Sequence, residues 1–169
     1  MSAAEFVMQP IGVIHSPFTD KRQTPIQPSR SQAPGQVEIF DAYVDGLADI
    51  EGFSHIILLY VFHRADGYAL RVTPFLDDKP HGLFSTRYPG RPNQIGLSIV
   101  QLESRQANRL HIRGVDVLDG TPLLDIKPYV PDFDAHPDAA TGWYSDAAKA
   151  ASIHPSNKTD SKQNRDSAA

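Results

Sequence analysis

Residues 82–98, GLFSTRYPGRPNQIGLS, carry Arg87 and Arg91 on a stretch stiffened by Pro89 and Pro92 and punctuated by Gly82, Gly90 and Gly96. A turn uses glycine and proline for its backbone. It has no need of two guanidinium groups four residues apart. A planar, bidentate guanidinium on a rigid loop suits a carboxylate or a phosphate. A surface turn with an incidental ion pair accounts for the same residues about as well.

Three further stretches hold chemistry. In VLDGTPLLDIKPYVPDFD, residues 117–134, Asp119 and Gly120 make a turn, Thr121 can bond a neighbouring backbone group, and Pro122 ends the turn. A carboxylate there suits hydroxyls, amino groups or a cation, and an Asx-type turn is the plainer reading. His55 and His63 bracket an apolar run, while His15, His81 and His111 fall near strand ends. Their spacing matches no tight metal-ligand motif, so no metal site is expected. His63, followed by Arg64, stands out because a central strand would deliver it to a rim. The connector 18–36 holds Pro25, Pro28 and Pro34 with Lys21, Arg22 and Arg30. Long connectors in compact domains are usually functional or mobile.

The elements that must position these groups read as β. QVEIF, 36–40, puts Val37 and Ile39 on one side. HIILLYVFH, 55–63, is apolar on both faces, as expected of a central strand covered twice. FVMQPIGVIH, ALRVTPF and PLLDIKPY supply further strands. In IGLSIVQLES, 95–104, the alternation slips between Ile99 and Val100, which predicts a bulge. RLHIRGVDVLDG alternates cleanly, with Leu110 and Ile112 inward and Arg109, His111 and Arg113 outward. One short helix is expected around residues 41–52. About six or seven strands with Gly/Pro turns make an all-β domain, a small barrel or sandwich with short helical connections.

Of the 169 residues, 1–134 read as this single domain and 135–169 as a polar tail. Roughly the last 20 to 25 residues are expected to be disordered for want of apolar surface. Trp143 and Tyr144 are the exception and are expected to pin the start of the tail. The absence of cysteine excludes disulfides and thiol catalysis. No basic leader precedes an apolar stretch, and IILLYVF is too short to span a bilayer, so a soluble cytoplasmic protein is expected. A net charge of −4 argues against coating nucleic acid nonspecifically but leaves room for a local basic site.

Four stretches in order, IGVIHSPF, FSHIILLYVFHR, GLFSTRYPGRPNQIGLS and LDGTPLLDIKPYVP, resemble the successive signatures of the TsaA-like, or TrmO, family of tRNA methyltransferases. The resemblance implies a small β-barrel that binds S-adenosylmethionine, a homodimer with cofactor pockets near the subunit interface, and methylation of N6 of threonylcarbamoyladenosine beside the anticodon of tRNA. Carried over position by position, it implies cofactor contacts at Pro28, Ser29 and Arg30, at His63 and Arg64, at Arg87 and Leu97, and at Asp119, Gly120, Thr121 and Pro122. His63 is then the candidate base by position. Arg91 is the candidate for a substrate carboxylate or phosphate, and Arg109, His111 and Arg113 offer an RNA platform. Three departures stand out. Gln94 replaces a common proline, Ile26 replaces a usual arginine, and the C-terminal domain of longer relatives is lacking. They keep a second reading open, a cofactor-binding sensor without methyl transfer.

Overall fold

Six strands pair into a closed barrel because their apolar residues fall on every second position and no strand edge is left over. The computed structural model describes residues 6–20, 24 and 31–145. The strands are β1 (Gly12–His15), β2 (Pro34–Ile39), β3 (His55–Val61), β4 (Arg71–Val72), β5 (His81–Gly82), β6 (Ile95–Gln106), β7 (Arg109–Arg113) and β8 (Thr121–Pro128). Around the barrel the order is β1-β2-β7-β6-β3-β8, with all neighbours antiparallel. Chain contacts divide the molecule into two compact units. One is Met1–Tyr68 with Pro89–Ala135, which contains the barrel; the other is Ala69–Tyr88 with His136–Ala169.

The expected all-β barrel is what forms. Val37, Ile39, Ile56, Leu58, Tyr60, Leu110, Ile112 and Leu123 point inward and are buried. Leu47 joins the same core from the connector between β2 and β3, and Val115 and Val117 join it from the segment between β7 and β8. The connector expected to hold a helix forms two 3₁₀ segments instead, Asp41–Leu47 and Ile50–Gly52. Arg105 fastens it by donating from Nη1 to the Leu47 carbonyl at 2.9 Å and to Glu51 at 3.2 Å.

Strand β6 corrects the expected slip. Gly96, Ser98, Val100 and Leu102 face inward without interruption, and Leu97 and Ile99 face outward. The sequence pattern misleads because a serine and a glycine occupy core positions. The irregularity lies further on, between Leu102 and Ser104, where β6 passes from pairing with β3 to pairing with β7. A bulge there lets one 12-residue strand turn the corner that closure demands. Gly96 is not a turn glycine either, since its φ is not positive. A Cβ there would lie 2.6 Å from Tyr60 Cζ and 2.9 Å from Phe62 Cζ, so glycine makes room for the Tyr60 ring.

Strand β3 is central, with β6 and β8 on its two edges. The expected second covering layer is not what its other face shows. Ile57, Leu59 and Val61 are half-buried and stand directly opposite Ile99, Leu97 and Ile95, which are exposed. ALRVTPF contributes only the two residues of β4, which pairs with β5 in the second unit. In that unit Trp143 stacks on His81 with ring centroids 4.5 Å apart and donates from Nε1 to the Ser85 carbonyl at 2.8 Å. Trp143 thus pins the start of the C-terminal segment, as expected. The expected disorder beyond it concerns residues 146–169, outside the described residues.

Candidate functional site

The registers decide which chain ends meet. Ile14 of β1 faces Thr121 of β8, His15 faces Gln36 of β2, and Pro34 faces Arg113 of β7. Val61 of β3 faces Ile95 of β6, and Tyr60 faces Leu123 of β8. One barrel mouth therefore collects the end of β1, the start of β2, the end of β3, the start of β6 and the start of β8. His63 and Arg64 follow β3, Arg91 precedes β6, Leu97 sits in its first turnover of side chains, and Asp119 to Pro122 open β8. The β1–β2 connector, which carries Pro28, Ser29 and Arg30, starts and ends at this mouth; those three residues and Ile26 lie outside the described residues.

At the mouth, Asp119 is not a self-contained turn. Its Oδ1 accepts from the Ser16 backbone N–H at 3.1 Å and lies 3.4 Å from His15 Nδ1, more than a hundred residues away in the chain. Its own N–H donates to the Phe18 carbonyl at 2.8 Å, and Gly120 N–H donates to Ile14 at 3.0 Å. Gly120 has φ +76° with open space beside it, so backbone strain rather than crowding favours glycine there. Thr121 is buried, and its hydroxyl donates to the Leu118 carbonyl at 2.7 Å, which shapes the turn. Pro122 is half-buried opposite Val13.

Across the mouth, Arg64 donates from Nη1 to the Thr19 carbonyl at 3.2 Å. Burial, and next the charge of Arg64, hold the His63 imidazole below its ordinary pKa of 6.5. It is therefore neutral at pH 7 and able to accept a proton. The sign follows: the unfolded chain binds this proton more tightly than the fold does. Below pH 6.5 His63 thus costs stability, fully so beneath its lowered pKa, and above 6.5 it costs none. In an NMR titration its ring protons should shift with a midpoint under 6.5; a midpoint above it would remove the neutral-imidazole assignment.

Gln94 ties this histidine turn to β6. Its backbone carbonyl accepts from Phe62 N–H at 2.8 Å, and its Nε2 donates to the Ala65 carbonyl at 2.7 Å. A proline here would lack the side-chain bond. Leu97 is 45% exposed on the outer face, and Arg91 is half-buried. Arg87 is exposed and belongs to the second unit, after the 3₁₀ turn Leu83–Ser85.

The family model for the tRNA-methyltransferase O N-terminal domain matches residues 13–135. The chain belongs to the TrmO family. A probable S-adenosyl-L-methionine-binding protein of Pyrococcus abyssi is 54% identical over 136 residues, covering 80% of this chain and 74% of that protein. A mouse tRNA (adenine(37)-N6)-methyltransferase is 40% identical, covering 80% of this chain but 33% of its own length. A crystal structure of TrmO from Pseudomonas aeruginosa superposes with a TM-score of 0.71 at 41% identity, covering 83% of this chain and 62% of that one. The chain thus spans under two thirds of the solved TrmO chain and a third of the mouse protein.

Within this TrmO-family barrel, sequence reasoning missed a set of hydroxyls. Ser98 Oγ donates to Asp116 Oδ1 at 2.6 Å and lies 2.9 Å from Tyr60 Oη. Ser31 Oγ donates to the Val115 carbonyl and Ser16 Oγ to the Val117 carbonyl, each at 2.6 Å. The available signal was Ser98 itself, a polar residue at a core position of the alternation. The proposed basic platform on β7 fares differently. Arg109 pairs with Glu38 at 3.3 Å and Arg113 pairs with Glu103, while His111 Nε2 is buried without a hydrogen-bond partner among the described residues. Each arginine of that face thus already stands beside a carboxylate. Among the described residues, no group of three or more His, Asp or Glu side chains is arranged to hold a metal, and no helix is long and apolar enough to cross a membrane.

Proposed function

We propose that this protein methylates N6 of threonylcarbamoyladenosine beside the anticodon of a cytoplasmic tRNA, using S-adenosylmethionine. The observation that carries the reading is the register that gathers His63–Arg64, Leu97 and Asp119–Pro122 at one mouth of a TrmO-family barrel. The donor set there fits the cofactor. Both Asp119 contacts among the described residues fall on Oδ1, so Oδ2 is available to a ribose hydroxyl or an ammonium group. Arg64 provides a guanidinium for the carboxylate. Exposed Leu97 provides an aliphatic surface for adenine. Gly120, Thr121 and Pro122 shape the backbone around it.

When bound, S-adenosylmethionine supplies a methyl group on a positively charged sulfur. The chain's own part is position and proton transfer. The acceptor nitrogen belongs to a urea and is a weak nucleophile. Neutral His63 accepts its proton, and Arg91 holds the threonyl carboxylate or a neighbouring phosphate. The target base lies in a single-stranded loop, so no duplex is opened.

Methyl-labelled cofactor with tRNA carrying the threonylcarbamoyl group should label that nucleoside, and tRNA lacking the group should stay unlabelled. Equal labelling of both would overturn the substrate. Binding without transfer would leave the second reading, a sensor, which the binding-only name of the Pyrococcus relative favours.

We also propose a homodimer. Ile57, Leu59 and Val61 with Ile95, Leu97 and Ile99 form one apolar outer patch across two strands, of the kind that marks an interface. Ile99→Glu should sediment as a monomer under conditions where the unaltered protein is a dimer. A monomeric unaltered protein would refute the assembly.

A further inference from the structure

We propose that Asp116 is a positioning residue. Through buried hydroxyls it holds residues 115–119, and with them Asp119, against the strands that carry Leu97 and lead to His63. The inference rests on the cofactor reading of the mouth. Tyr60 and Ser98 are each 2% exposed, and Asp116 is half-buried. Ser98 has one proton and gives it to Asp116 Oδ1 at 2.6 Å, so Tyr60 Oη donates to Ser98 Oγ at 2.9 Å. The relay runs from β3 through β6 to the 115–119 segment.

The same segment is held at its neighbours. Val115 and Val117 enter the core, and their carbonyls accept from Ser31 and Ser16, each at 2.6 Å. Ser31 directly follows Pro28–Arg30, Ser98 directly follows Leu97, and Tyr60 lies three residues before His63. Ser31 and Ser98 thus bond residues 115–116 directly, and Tyr60 reaches Asp116 through Ser98. An inward position between Gly96 and Val100 would ordinarily take an apolar side chain. A buried hydroxyl is costly unless bonded, and a satisfied buried network fixes one arrangement rather than several. The geometry thus makes 115–117 the common reference for the mouth, with Asp116 its charged anchor.

The test compares Ser98→Ala, Asp116→Ala and Asp116→Asn in the full chain. By calorimetry well below the unfolding temperature, the two alanine variants should bind S-adenosylmethionine about tenfold more weakly. Asp116→Asn keeps an acceptor oxygen and should restore most of the affinity. A second readout needs no cofactor. The Asp119 and Gly120 amides, bonded to Phe18 and Ile14, should exchange about tenfold faster in the alanine variants, while β7 amides keep their rates. Unchanged exchange at 119 and 120, or an equal rise throughout β7, overturns the positioning role. If the unaltered protein binds no cofactor but the exchange behaves as stated, the cofactor reading falls and Asp116 keeps its role. Tyr60→Phe deletes only the far hydroxyl and keeps the test open if the alanine variants do not fold. The same two amides should exchange faster, and no change counts against the role.

Discussion

Replacing His63 by alanine is expected to lower kcat for methyl transfer by about 100- to 10,000-fold, with the Kd for S-adenosylmethionine within about threefold of the unaltered protein. The reason is the state of the imidazole. Partial burial and the Arg64 charge keep it neutral at pH 7, and the register sets it at the same mouth as Asp119. In the proposed reaction a neutral histidine takes the proton of the acceptor nitrogen, and that role is realised only as the methyl group moves. The split between the two constants is diagnostic. A rise in Kd with kcat retained would make His63 a cofactor contact and would leave the base to another group. Activity retained on both counts would remove His63 from the site.

Gly96→Ala is expected to destabilise the barrel by about 2–3 kcal/mol, read as a lower urea midpoint with an unchanged slope. The new methyl would meet the Tyr60 ring at less than van der Waals distance. That ring cannot step aside cheaply, because it is buried and its hydroxyl is held by Ser98. Moving it strains the relay to Asp116, so the loss of stability should come with faster exchange at Asp119 and Gly120. Gly46→Ala is the control. Nothing lies within 4 Å of a Cβ at Gly46, and its φ is not positive. It should change stability by less than about 0.5 kcal/mol. Equal effects of the two substitutions would show that the Tyr60 contact does not decide Gly96.

Two stretches show why some of the fold was legible and some was not. RLHIR could be read because each inward residue is apolar and each outward one is charged or histidine, so the period of two is visible in the letters. IGLSIV could not, because Gly96 and Ser98 occupy core positions for the sake of the Tyr60 ring and hydroxyl, while Leu97 and Ile99 face out. Alternation reports polarity, and these residues invert it. Their inward partners are supplied by strands and loops distant in the chain.

The candidate site divides the same way. Residue types alone marked the Asp119 turn and the His63–Arg64 strand end as chemical. The order of four motifs carried the family resemblance that the 13–135 match bears out. An all-β domain of short strands also followed from the chain, because strand length and turn residues are local properties. Only the tertiary structure decided that β6 bends at residues 102–104, that Arg109 and Arg113 pair with Glu38 and Glu103, and that Asp119 bonds Ser16 between the adjoining ends of β8 and β1. These are pairings between residues far apart in the chain. They depend on strand register, which closure of the barrel sets and no window of sequence contains.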